Sequence, residues 1–410
     1  MKALILCPRI PFPPADGGSI AMVQLQKGLH EAGVQTDVLA FNTTKHHIDP
    51  SSFDPGYCSE TRLETVDLDN RVKPIPALIQ LLKGESYHIS RFDSSGFHQV
   101  LQQKLKQDPV DFVLLESLSM APYLPDIRAH STSLVILRAH NVEHVIWQKL
   151  ARKSGNPARR AYLNILSRQL KDFECRILNA VDGIAAIAET DANVFRGLAP
   201  KTPICVIPTS LDVPSSPAET RSSLSPVVAH LGAMDWMPNR EGIEWFLREV
   251  WPRVQAKNQS LTLRIAGKHM PEKLRALNKP GLEVSGYIED AKAFLGQADM
   301  LFVPLLSGSG MRVKLAEGMS LGKAIVTTSQ GCEGIDAEHG QELLVADSPD
   351  DFASCILQLA ADKALRQKIG SGAHQFATAR FSSQKITQDF IRFLNTLELK
   401  KSNRTVNSLN

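Results

Sequence analysis

A chain of 410 residues is longer than one hydrophobic core usually serves, so two domains are expected. Apolar residues make up 43% and charged residues 22%, an ordinary globular composition. The net charge of +3 argues against bulk electrostatic binding to nucleic acid, whose affinity rests on many neutralised phosphates.

The chain opens with an apolar run too short for a signal peptide and followed at once by prolines, so it reads as a first buried strand over Ala3–Cys7. Further strands are expected at Gln35–Ala40, Asp111–Leu115, Ser133–Leu137, Gly183–Ala188 and Ile204–Ile207. Between the first two, Ile20, Val23, Leu25 and Leu29 predict a helix over Ser19–Glu31, stopped by Gly33. Residues 42 to about 75 are polar, carry Pro, Ser and Asp, and resist assignment. A Pro- and Ser-rich stretch over 213–226 reads as a linker between a first domain, 1–212, and a second, 227–380. The alternation restarts with strands at Val227–Leu231, Leu261–Ala266, Leu282–Val284, Met300–Pro304, Ala324–Thr327 and Leu343–Val345. Helices are expected at Glu241–Val250 and Met311–Ser320, and a last one over about 382–399. The class is therefore α/β, two doubly wound sheets facing across a cleft, with ligands at the carboxyl ends of strands. No apolar run is long enough to span a bilayer. The six scattered cysteines lack any Cys-x-x-Cys pair, which suggests neither disulfides nor zinc and fits a reducing, cytoplasmic setting.

Three segments carry chemistry. Asp16, Gly17, Gly18 and Ser19 join the first strand to its helix, where adjacent glycines and free N–H groups suit a phosphate or sugar oxygen. The same residues also suit a plain capped turn. The absence of Gly-x-Gly-x-x-Gly there disfavours a nicotinamide or flavin cofactor. Leu137 to His144 ends an apolar strand, so His140 and Asn141 emerge at a carboxyl edge, and Glu116 holds a similar position. His144 reads as a residue of the following helix. The strongest segment is Pro304 to Gly318: a buried strand, then Ser307-Gly308-Ser309-Gly310, then a helix opening with Arg312 and Lys314. Backbone N–H groups and the helix dipole make such a loop an anion site, and two cations beside it suit a diphosphate. Without an anion those cations oppose the dipole. Glu317, three residues after Lys314 on the same side, can accept the hydroxyls of a ribose or simply pair with Lys314.

The run from Gly308 to Thr328, with the Pro13–Gly18 loop and the strand-end His140, resembles the signature of family 4 glycosyltransferases. That resemblance spans most of the chain, in the family's order. It implies a GT-B fold, a nucleotide-sugar donor, retention of configuration, no metal or other cofactor, and a saccharide or lipid-linked acceptor. It implies that Glu317 holds the donor ribose, that Gly232, Tyr287 and Ile288 border the donor, and that the last helix returns to the first domain. Two departures stand out. Ser309 falls where the family has a glutamate near the donor sugar, and Glu241-Gly242 replaces a phosphate-gripping Lys-Gly pair, leaving Arg240, Arg312 and Lys314 for that task.

The rivals are a metal-dependent GT-A enzyme using Asp67-Leu68-Asp69, a nucleotide-sugar epimerase of similar fold, and a non-catalytic binding descendant. A basic stretch with Arg159, Arg160, Arg168, Lys171 and Arg176 interleaves Tyr162, Leu166, Leu170, Phe173 and Ile177 at helical spacing. Its ordinary reading packs the apolar face on the protein's own sheet. The other reading is peripheral contact with anionic lipid.

Overall fold

The computed structural model describes residues 1–14, 16–217, 226–277, 279–307 and 312–407. They form two compact units, Met1–Thr209 with Ile386–Asn410, and Ser210–Lys385.

The first unit is built on a seven-stranded sheet in the order β3-β2-β1-β4-β5-β6-β7. Its strands are β1 (Lys2–Cys7), β2 (Gln35–Thr43), β3 (Glu64–Leu68), β4 (Phe112–Leu115), β5 (Leu134–Ala139), β6 (Gly183–Ala186) and β7 (Ile204–Val206). Every pairing is parallel. A parallel sheet is covered on both faces, which is why β1, β4 and β5 are continuous apolar runs rather than alternating ones. One face buries Leu4, Leu6, Phe41, Phe97, Val113 and Leu115. The other buries Ala3, Ile5, Phe112 and Leu114 beneath the helix Gly17–Glu31 and the last helix, Ser383–Asn407, whose Ile386, Phe390, Leu394 and Leu397 join that core.

The second unit repeats the plan with six parallel strands in the order β10-β9-β8-β11-β12-β13. They are β8 (Val227–Leu231), β9 (Thr262–Ala266), β10 (Leu282–Val284), β11 (Met300–Val303), β12 (Ala324–Thr327) and β13 (Leu344–Val345). In both sheets the winding reverses beside the first strand, between β1 and β4 and between β8 and β11. Loops leaving the carboxyl ends of those strands diverge there and leave a crevice for a ligand.

Three details differ from the sequence-based expectation. The unassigned stretch contains β3, an edge strand only half buried, followed by the helix Pro74–Lys83. The helix expected over Glu241–Val250 starts earlier, at Met237, and its second half, Phe246–Val250, is a π turn. Pro252 follows two residues after Val250 and cannot donate a backbone N–H, so the hydrogen-bond ladder rearranges ahead of it. The helix expected from Met311 runs over Val313–Ser320, with Arg312 at its N-cap.

Candidate functional site

In the second unit the predicted residues gather at the carboxyl edge of the sheet. Gly232 follows β8, and a Cβ there would lie 2.7 Å from His230 Nε2 and 2.8 Å from Asn239 Nδ2, so only glycine fits the turn. His230 is buried, and burial pushes its pKa down to about 4. The neutral ring donates from Nδ1 to the Phe302 carbonyl at 3.1 Å, tying β8 to β11. In the loop that leaves β11 at Pro304, the Ser307 hydroxyl donates to Glu241 Oε2 at 3.0 Å. The glutamate standing in place of a lysine thus anchors the front of this loop. Gly308, Ser309 and Gly310 lie outside the described residues.

Arg312 is only 6% exposed. Its guanidinium lies over the Trp236 ring, 5.4 Å from the centroid, donates to the Gln330 carbonyl at 3.5 Å and stands 3.9 Å from Glu333. Lys314 is more open and donates to Glu317 Oε2 at 2.7 Å. The pair that the i,i+3 spacing allows is therefore formed, and it holds both side chains on one side of the helix. Tyr287 is exposed, with Lys268 Nζ 5.2 Å from its ring centroid, and Ile288 beside it is half buried. Arg240 is exposed on the first turns of the helix Met237–Trp245.

In the first unit Asp16 caps the helix Gly17–Glu31. Its Oδ1 accepts from the Ser19 N–H at 3.1 Å, and Ser19 Oγ accepts from the Asp16 N–H at 3.0 Å, a reciprocal capping box. Asp16 also pairs with Arg9. Burial raises the pKa of Asp16, but Arg9 and Ser19 outweigh it and leave the carboxyl below its ordinary range. A Cβ on Gly18 would sit in ordinary contact, 3.4 Å from Asp16 Oδ1 and 3.6 Å from Arg9 Nη2, so the space there admits a side chain.

His140 and Glu116 come together at the carboxyl ends of β5 and β4. His140 Nε2 lies 2.8 Å from Glu116 Oε2, and Arg138 Nη1 donates to Glu116 Oε1 at 3.1 Å and to the Ala21 carbonyl at 2.9 Å. Glu116 and Arg138 are both buried. Burial opposes the charged carboxylate, yet Arg138 and His140 together hold Glu116 below the ordinary glutamate range. An ionised Glu116 can only accept, so His140 Nε2–H is the donor in this contact. Asn141 is half buried next to it. His144 belongs elsewhere: it is buried, with Nδ1 2.5 Å from Glu174 Oε2.

Two residues that sequence reasoning passed over belong to these clusters. Arg138 was visible as a lone cation in an apolar strand, a placement that requires a buried partner. Lys268 stands just after Gly267 at the end of β9, the same strand–glycine–cation pattern that marks an anion site. Asp67 and Asp69 do not form an open pair, because Asp69 is bound to Arg71 at 2.8 Å and to Lys73 at 3.1 Å.

Sucrose-phosphate synthase from Thermosynechococcus elongatus superposes on 98% of this chain and all of its own, with a TM-score of 0.69 and 16% identity. The chain has the GT-B fold. The S. aureus protein TarM, solved as a mutant in complex with fondaparinux, α-GlcNAc-glycerol and UDP, matches 96% of this chain and 100% of its own at a TM-score of 0.67 and 12% identity. Within the GT-B chain, residues 225–362 match the family described as Glycosyl transferases group 1. An uncharacterized 44.6 kDa protein in the cps region of Klebsiella pneumoniae is 22% identical over 399 residues, 94% of this chain and 97% of that one. The family match, which falls on the unit carrying Arg312, Lys314 and Glu317, supports glycosyltransferase activity at the level of the class.

Proposed function

We propose that the chain moves a sugar from a nucleotide-sugar donor to a saccharide or lipid-linked acceptor, with retention of configuration and without a metal ion. The observation that carries this reading is the helix Val313–Ser320 at the switch point of the second sheet, which opens with Arg312 and presents Lys314 and Glu317 as a pair 2.7 Å apart. A diphosphate at the helix start would meet backbone N–H groups and draw Lys314 off Glu317, freeing the carboxylate for two ribose hydroxyls. Arg312, held against Trp236 and Gln330, is a fixed positive charge behind that anion. Charge grows on the phosphate as the glycosidic bond breaks, and preorganised cations favour that transition state over the ground state. The leaving phosphate would then accept the acceptor's proton. His140, with its Nε2 proton committed to Glu116, would offer Nδ1 to a sugar hydroxyl. The uridine diphosphate bound to TarM supports a nucleotide donor, and α-GlcNAc-glycerol in the same complex supports a saccharide-type ligand.

Thermal-shift titration with UDP-, GDP- and ADP-sugars, on wild type and Glu317→Ala, tests the donor site. One nucleotide class should stabilise the wild type and not the variant. Donor turnover should fall about a hundredfold or more in Lys314→Ala and persist in EDTA, with the anomeric configuration of the product unchanged by NMR. Near wild-type turnover by Lys314→Ala would sink the phosphate assignment. Loss of turnover in EDTA would sink the metal-independent one, and an inverted product would sink retention.

A further inference from the structure

The helix Pro74–Lys83 turns its apolar side outward. Ile75, Ile79 and Leu82 are spaced four and three residues apart, on one face, and are 74%, 47% and 79% exposed; Val72, just before the helix, is 69% exposed. A surface helix normally buries such a stripe. Single exposed aliphatic residues need no explanation, whereas a contiguous row marks a contact surface.

The row continues onto the helix Pro157–Ala180. Gln169 Nε2 donates to the Leu81 carbonyl at 3.1 Å, so the end of the first helix is fastened to the second. One turn earlier on the side of Gln169 stands Ile165, exposed, and one turn before that Tyr162, also exposed. The buried stripe of this helix is Leu163, Ser167, Leu170, Glu174 and Leu178, so its apolar face does pack inward and these two residues lie outside it. Leu150 on the helix Glu143–Lys153 adds another exposed aliphatic side chain.

On the two longer helices the charge beside this row is nearly of one sign. At the ends of the short helix Lys73 and Lys83 are exposed, with Asp69 held by Arg71 and Lys73 and Glu85 exposed beyond Gly84. Lys149, Arg152, Arg159, Arg160 and Arg168 are exposed on the two longer helices. Among the described residues of those helices the one exposed acid is Asp172, more than two turns from Tyr162. Glu174 is buried. An aliphatic row with one interfacial tyrosine, bordered by long cationic side chains, matches the two layers of an anionic membrane surface: acyl chains below, phosphates above. A second copy matches it poorly, because a two-fold contact would set the patch against itself and bring like charges together.

We propose that this face of the first unit docks on an anionic lipid bilayer, with Ile75, Ile79, Leu82, Ile165 and Tyr162 inserting among the headgroups and Arg159 and Arg160 binding lipid phosphates. The docking stands independently of the glycosyltransferase reading, since its test measures lipid binding and not activity.

The full chain should sediment with vesicles of phosphatidylcholine plus phosphatidylglycerol, stay in the supernatant with phosphatidylcholine alone, and release as salt rises. Ile75→Ser with Leu82→Ser, and separately Arg159→Glu with Arg160→Glu, should each weaken partitioning about tenfold or more. All four side chains are exposed, so the melting temperature should hold; if a pair of changes lowers it, Leu82→Ser and Arg159→Glu alone give the same readout. Absence of wild-type binding to anionic vesicles, or wild-type binding by both variants, overturns the proposal. So does a wild-type dimer in sedimentation velocity that Ile75→Ser converts to monomer, which would assign the row to a second copy.

Discussion

Glu143 and His88 show how burial decides what a contact means. His88 Nε2 lies 3.7 Å from a Glu143 carboxyl oxygen, close enough on paper for an ion pair. Burial pushes His88 down to about 4, helped by Arg91, and pushes Glu143 up to about 7, helped by Glu174. Between those values the imidazole is neutral and the carboxyl protonated, so the contact carries no charge. For Glu143 the sign follows directly. An acid whose folded pKa is raised binds its proton more tightly when folded, so stability falls as pH rises from the ordinary glutamate range through about 7. Glutamine has no such dependence. Glu143→Gln should therefore gain on wild type by up to about 3 kcal/mol at pH 8 and match it at pH 4, read by urea unfolding at both values. An equal effect at the two pH values would show that packing, not ionisation, sets the difference. None of this was legible in the sequence, because His88, Glu143 and Glu174 meet only once three separate helices have packed. The same holds for Glu116, Arg138 and His140. The strand-end positions of Glu116 and His140 could be read from apolar runs, but their 2.8 Å contact depends on parallel pairing of β4 with β5.

At the scale of elements, strands that carry an apolar run were readable, both inside the sheets (β8, β12) and at their edges (β7, β10, β13). The edge strand β3, Glu-Thr-Val-Asp-Leu, was not, because only one neighbour and part of one face cover it and its sequence is half polar. Helix starts were less readable. Met237–Trp245 has Pro238 in its first turn, a start signal that the expectation of a helix from Glu241 left unused. Gly242 in that helix has a reason only the packing reveals: a Cβ there would lie 2.2 Å from the Pro304 carbonyl oxygen. The helix rests directly on the end of β11, where the loop toward Arg312 begins. Gly242→Ala must push helix and strand apart, and should cost about 1–3 kcal/mol while raising the KM for donor. Gly197, in the helix Glu189–Leu198, has nothing within 4 Å of its missing Cβ. Gly197→Ala should instead be neutral or gain about 0.5–1 kcal/mol from the stiffer unfolded chain. Thermal melts of the two variants, with donor KM alongside, separate close packing from general glycine flexibility; a Gly242→Ala protein as stable as Gly197→Ala would remove the contact as the reason for the glycine.

At the scale of the whole molecule, the chain builds a doubly wound sheet twice and returns its last segment to the first. The repeat was legible because the second half restarts with an apolar strand after a Pro- and Ser-rich stretch. The return was expected only from the family resemblance, since a helix with apolar residues at Ile386, Phe390, Leu394 and Leu397 does not itself say which sheet it covers. Its neighbours answer that: Phe390 meets Phe112 of β4 edge-on at 6.0 Å, and a Cβ on Gly183 of β6 would lie 2.8 Å from Leu397 Cδ1. The last helix is thus part of the first sheet's cover, although the whole of the other unit, Ser210–Lys385, precedes it in the chain. Phe390 is fully buried, so Phe390→Ala removes a ring that nothing nearby can replace and should cost about 3–5 kcal/mol. The loss should be local in hydrogen exchange. Peptides from β1 and β4, which lie under this helix, should lose protection, and peptides from β8 and β11 should serve as the unchanged reference. Full protection of β1 and β4 in the variant would mean that the helix lies on the sheet without holding it, and the core drawn around Phe112 and Phe390 would have to be given up.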